Sequence, residues 1–167
     1  RHPDRRQAVF LGDYIDRGPK IRETLQTVRA MVDSGDAQAL MGNHEFNAIA
    51  FATPSGDGDH LRPHSPKNCE QHRETLTQFQ NYEEEWEEYL DWFKGLPMWL
   101  DLDGVRAVHA CWDPSRLDTL DGRNFRDAEF LRLCSTEGEP EFSAVETILK
   151  GPEIPLPKGF SITDKQG

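Results

Sequence analysis

The sequence predicts an α/β layered fold with functional groups on the loops at strand C-termini. Two observations carry this reading. A strand, a loop and a helix follow one another twice between Ala8 and Ala52, and a later apolar hairpin ends in a histidine. Ala8 to Leu11 reads as a short buried strand. The helix after it starts near Pro19, a residue suited to a first helical turn, carries Ile21, Leu25, Val28 and Val32 at helical spacing, and stops at Gly35. Ala37 to Met41 is a second short strand. Gly42-Asn43-His44-Glu45 follows at its end, and helix resumes from Glu45 to Ala52.

Thr53 to Lys67 is rich in Gly, Pro, Asp and His without periodicity, so an exposed insertion is expected over 53–82. From Glu83 to Lys94, Trp86, Tyr89, Leu90 and Phe93 form an apolar stripe on a helix whose acidic run is its solvated face. Met98 to Leu102 and Val105 to His109 flank Asp103-Gly104, a preferred two-residue hairpin turn, which delivers His109 to a strand end. Phe125 to Cys134 and Phe142 to Leu149 are patterned as helices, making 115–167 a helical C-terminal part. The 167 residues suit one domain. A single partial domain is expected over 1–167, because a buried-looking strand begins after a few polar residues with no initiator methionine. At the other end, Asp164-Lys165-Gln166-Gly167 would suit a hairpin whose second strand is absent.

Composition narrows the partners. Mean hydropathy is -0.74, no apolar run is long enough to cross a bilayer, and Arg1 to Gln7 lacks the apolar core of a signal peptide. A net charge of -11 disfavours phosphate backbones, which need clustered Lys and Arg. Neither a nucleic acid duplex nor a membrane is expected. Cys69, Cys111 and Cys134 form no disulfide framework and suit a reducing compartment such as the cytoplasm.

Three motifs carry chemistry: Gly12-Asp13-Tyr14-Ile15-Asp16-Arg17-Gly18, Gly42-Asn43-His44-Glu45, and Val108-His109-Ala110. A phosphate ester resists hydrolysis because its oxygens repel hydroxide. Its hydrolysis needs cations to neutralise them and a source of hydroxide near neutral pH. Two divalent metal ions about 3.5–4 Å apart supply both. Asp13, just past a strand end, is placed to bridge them, Asn43 could add an amide oxygen without charge, and His109 could add a neutral imidazole nitrogen. Mixed oxygen and nitrogen donors suit Mn²⁺, Fe or Zn²⁺ better than Mg²⁺.

These motifs closely resemble the second, third and fourth blocks of the calcineurin-like metallophosphoesterases, most strongly the phosphoprotein phosphatase branch, over Val9 to Pro114. The resemblance implies a layered α/β/β/α core, incomplete here at both ends. It implies two divalent metal ions, Mn first among them, with Asp13 bridging both and Asn43 and His109 on the second. Arg17 would grip the phosphate by paired hydrogen bonds, with Asn43 beside it. His44 would protonate the leaving group, held by Asp16, while a metal-bound hydroxide attacks phosphorus in line.

The departures from the family pattern are specific. The GDxHG block that would precede this region and the later GH block do not occur, so the chain alone is expected to bind metal weakly. Met41 stands where eukaryotic protein phosphatases usually carry Arg, and Cys111 replaces a common glycine. Both lean toward bacterial Ser/Thr phosphatases and symmetrical diadenosine tetraphosphate hydrolases, whose second block also reads as DRGP. The substrates implied are a phosphorylated protein or a dinucleoside polyphosphate. The reading from another class is a catalytically incomplete phosphate-binding or interaction module that keeps Arg17 and the acidic helix.

Bland readings cover the remaining polar residues. His60, His64, Cys69 and His72 match no standard zinc spacing and read as a solvated insertion. Asp57-Gly58-Asp59 is too short for a calcium loop. Cys111 lacks a dedicated base and reads as packing, and Trp112 as either core or a lip of the site.

Overall fold

A computed structural model describes residues 4, 6–56, 58–153 and 155–161. Asp57 of the short acidic run and the C-terminal tetrapeptide 164–167 lie outside the described residues. The first strand, β1 (Ala8–Phe10), leads through a loop to α1 (Ile21–Asp33) and then to β2 (Ala37–Ala39), which pairs parallel with β1, Ala8 opposite Ala37. The helix begins two residues after Pro19. Ile21, Leu25 and Val28 are its buried stripe, spaced as the sequence predicts.

Next comes α2 (Asn43–Ala52), where His44, Glu45, Phe46, Ala48, Ile49, Ala50 and Phe51 are all buried. It packs against α4 (Glu83–Lys94) and α7 (Pro140–Lys150). A helix buried nearly all round forms the interior of the domain, so what its first turn carries is held rigidly. The described strands form two small sheets, β1 with β2, and the antiparallel hairpin of β3 (Trp99–Leu102) and β4 (Val105–Val108). Met41 N–H donates to the Pro97 carbonyl (2.9 Å) and so ties the end of β2 to the segment entering the hairpin. Past β4, the Ala110 and Cys111 amides both donate to the Ile148 carbonyl of α7. These bonds bring the ends of β1, β2 and β4 to one place.

The stretch expected as an insertion contains α3 (Pro66–Phe79), capped by the Ser65 hydroxyl and packed on α1. Its buried residues are His72, Thr75 and Phe79, at helical spacing on one face. The solvated reading of His72 is therefore corrected: the abundant polar residues of α3 cover its outer face and hide a narrow inward stripe. Toward the C-terminus, α5 (Pro114–Leu120) and α6 (Ala128–Ser135) pack on α7. The latter starts later than Phe125 because the Asp127 side chain caps it, accepting from the Glu129 and Phe130 amides.

Candidate functional site

Two glycines set the spacing of the first two motifs. Gly12 has a φ of 98°, and a Cβ there would lie 2.5 Å from both the Cα and the nitrogen of Gly42. A Cβ on Gly42 would lie 2.6 Å from the Asp13 nitrogen and from Asp13 Oδ1. The loops after β1 and β2 touch backbone to backbone, an approach closed to any residue with a side chain. Asp13 and Asp16 both take left-handed conformations, with φ of 60° and 70°, uncommon outside glycine and best tolerated by Asp and Asn.

The loop is held by a residue that sequence reasoning passed over. Glu45 is fully buried, and its carboxyl accepts from the backbone amides of Tyr14 (2.7 Å), Asp13 (2.8 Å) and Gly42 (3.0 Å). Burial pushes its pKa up to about 7 against the lowering effect of those donors. The available signal was a Glu three residues after a helix N-cap, a capping-box position that here reaches across to the neighbouring loop. The Tyr14 hydroxyl adds a second clamp. It accepts from the Gly12 amide (3.1 Å) and donates to the Leu40 carbonyl (2.8 Å).

Asp13, Asn43 and His109 come together. His109 Nδ1 bonds the Leu11 carbonyl, so that nitrogen carries the proton and Nε2 offers a lone pair. Nε2 lies 3.2 Å from Asn43 Oδ1 and 3.4 Å from Asp13 Oδ1. A cation placed among these three atoms would draw on a lone pair of each. Donor atoms about 3.0–3.4 Å apart are also neighbouring ligands around an ion bound at roughly 2.1 Å. The donor set fits a divalent ion of the Mn, Fe or Zn kind. It is incomplete, since among the described residues no three His, Cys, Asp or Glu side chains gather as a metal site.

Beside it lies an acid pair. His44 Nδ1 is 2.6 Å from Asp16 Oδ2, with both side chains nearly inaccessible. The hydrogen bond to Asp16 raises the pKa of His44, opposed by burial. Burial alone would raise that of Asp16, but hydrogen bonds from His44 and His72 outweigh it and hold the carboxylate well below its usual range. His72 Nδ1 stands 2.6 Å from Asp16 Oδ1, and the Thr75 hydroxyl donates to the same oxygen (2.7 Å).

Arg17 is exposed beside this pair and makes no hydrogen bond or ion pair among the described residues. Its guanidinium is open to an anion. Among the described residues, His60 and His64 take no part. His60 and His64 stack on each other (3.9 Å between ring centroids), and His64 Nε2 is engaged by the Phe51 carbonyl at 2.9 Å. Trp112 is partly buried against the core, with Arg106 over its ring at 5.0 Å.

The sequence pattern of the calcineurin-like phosphoesterases matches residues 2–149. The chain belongs to this family. Among curated relatives of this chain, a symmetrical bis(5'-nucleosyl)-tetraphosphatase of Janthinobacterium sp. (strain Marseille) is 31% identical over 104 residues, covering 62% of this chain and 32% of the relative. A protein of the same name from Vibrio parahaemolyticus is 28% identical over 149 residues, 89% of this chain and 44% of the relative. An asymmetrical bis(5'-nucleosyl)-tetraphosphatase of Geobacillus sp. (strain WCH70) is 42% identical over 43 residues, 26% of this chain and 18% of the relative. The chain thus spans less than half the length of these relatives.

Proposed function

We propose that the whole protein is a metal-dependent phosphohydrolase acting on dinucleoside polyphosphates. The observation that carries the reading is the meeting of Asp13 Oδ1, Asn43 Oδ1 and His109 Nε2 beside the buried Asp16–His44 pair. Asp13, Asn43 and His109 would hold divalent metal, most simply Mn²⁺. A metal held there would supply Lewis acidity toward phosphoryl oxygens and a source of hydroxide near neutral pH.

The remaining steps belong to side chains of this chain. Arg17 binds a non-bridging phosphoryl oxygen pair through its planar guanidinium, with Asn43 alongside. Asp16 keeps His44 protonated and fixes its ring. His44 then releases a proton from Nε2, the nitrogen not bonded to Asp16, to the departing oxygen. That proton matters most where the leaving group is a poor one.

Tetraphosphatase relatives favour the polyphosphate substrate. The GDYIDRG and GNHE blocks support a second reading, phosphoserine or phosphothreonine in proteins. Incubating the full-length protein with diadenosine tetraphosphate and Mn²⁺, with and without chelator, tests the choice. Chelator-sensitive release of ADP is expected. Turnover of a phosphothreonine peptide with the tetraphosphate left intact would replace the first reading by the second.

A further inference from the structure

We infer that His72 is a positioning residue for the acid pair, so that the working unit is His44–Asp16–His72 rather than His44–Asp16. The inference rests on the proposed role of His44 as leaving-group acid. Asp16 divides its oxygens between two imidazoles: Oδ2 takes His44 Nδ1 and Oδ1 takes His72 Nδ1, each at 2.6 Å. Thr75 closes the arrangement reciprocally. Its hydroxyl donates to Asp16 Oδ1 (2.7 Å) and accepts from the Asp16 amide (2.9 Å).

A carboxylate bonded to His44 alone would be free to rotate about its Cβ–Cγ bond and would carry the imidazole with it. Donors on the other oxygen remove that freedom. His72 is itself immobile. It is 5% exposed, and its ring packs between Phe51 (centroids 5.2 Å apart) and Trp86 (5.6 Å). Those rings stand on α2 and α4, so α3 contributes to the site through contacts anchored on both neighbouring helices. His72 reaches only Asp16 in this network and acts through it. Contact with two aromatic rings asks for an aromatic side chain but not for an imidazole. The polar edge is needed for Asp16.

Nuclear magnetic resonance of the ring-nitrogen protons in this chain tests the assignment. Wild type is expected to give a strongly deshielded Nδ1 proton from each imidazole, His44→Asn and His72→Asn each removing its own. His72→Phe keeps an aromatic ring, somewhat larger than imidazole, but removes the donor. It should erase its own signal and also broaden that of His44 at least about threefold, because Thr75 is then the one donor left on Oδ1 and the His44–Asp16 bond opens more often to proton exchange with water. His72→Asn, whose side-chain amide places an N–H near the position of Nδ1, should leave the His44 proton within roughly 30% of its wild-type width. A sharp His44 proton in His72→Phe, with backbone amide spectra showing a folded chain, overturns the proposal. So does equal broadening by both His72 variants. If the chemistry of His44 is misassigned instead, leaving-group dependence is lost in activity assays while these proton signals behave as stated, so the two failures are distinct.

Discussion

A methyl group at position 42 would sit 2.6 Å from Asp13 Oδ1 and 2.7 Å from Glu45 Oε2. Both are groups that set the geometry of the site, and the Asp13 backbone is equally close, so the clash cannot be relieved by a flexible side chain. Gly42→Ala should cost about 1–3 kcal/mol in urea unfolding, the usual range for forcing extra volume into a packed position. At the same scale, Asp16→Asn in the full-length protein should lower turnover of an alkyl phosphate by about 10²-fold, the low end of general acid contributions. It should lower turnover of p-nitrophenyl phosphate far less, because that leaving group needs little protonation. Equal losses on both substrates would remove His44 from the acid role. The candidate site residues Asp13, Asp16, Arg17, Asn43, His44 and His109 could be named from sequence because polar chemistry falls at strand ends in three co-ordered motifs. Glu45 and His72 were not, because each acts by burial and by partners distant in sequence: Glu45 by bonding Tyr14 and His72 by bonding Asp16.

Helices α1 and α4 and the β3–β4 hairpin follow from local pattern, with an apolar stripe at period 3.6 in the first two and Asp103-Gly104 in the third. The start of α5 was also written locally, as an Asp113 N-cap followed by Pro114, but a seven-residue helix offers too little periodicity to attract notice. For α3, polar residues outnumber a buried face one residue wide. That face matters to stability as well as position, because it supplies two donors to Asp16. A carboxylate whose folded pKa is depressed contributes stability that is full above its unfolded value, about 4, and is lost as pH falls through the folded one. The stability gap between wild type and Asp16→Asn should therefore narrow below about pH 4 in denaturant titrations, and should also shrink as pH rises above about 6.5, because the His44 pKa that Asp16 raises contributes stability that deprotonation removes. A gap that widens on acidification would mean that Asp16 is protonated in the folded protein.

Across the whole molecule, three converging side chains make a site for one ion at most, while the chemistry assigned to the family rests on two. This chain alone should hydrolyse p-nitrophenyl phosphate with added Mn²⁺ at less than about a hundredth of the rate of the whole protein, since metal affinity follows ligand number. Strong chelator-sensitive activity from Arg1 to Gly167 alone would reveal ligands outside the three named. The central claim, that Asp13, Asn43 and His109 form a metal site, is open to one direct measurement: titration of this chain with paramagnetic Mn²⁺, read in nitrogen–proton spectra. The account predicts that His109 and the backbone amides of Asp13 and Asn43 broaden first, and that Asp13→Asn raises the Mn²⁺ concentration needed by about tenfold or more. Broadening centred on His60 and His64, with His109 unaffected, would contradict it.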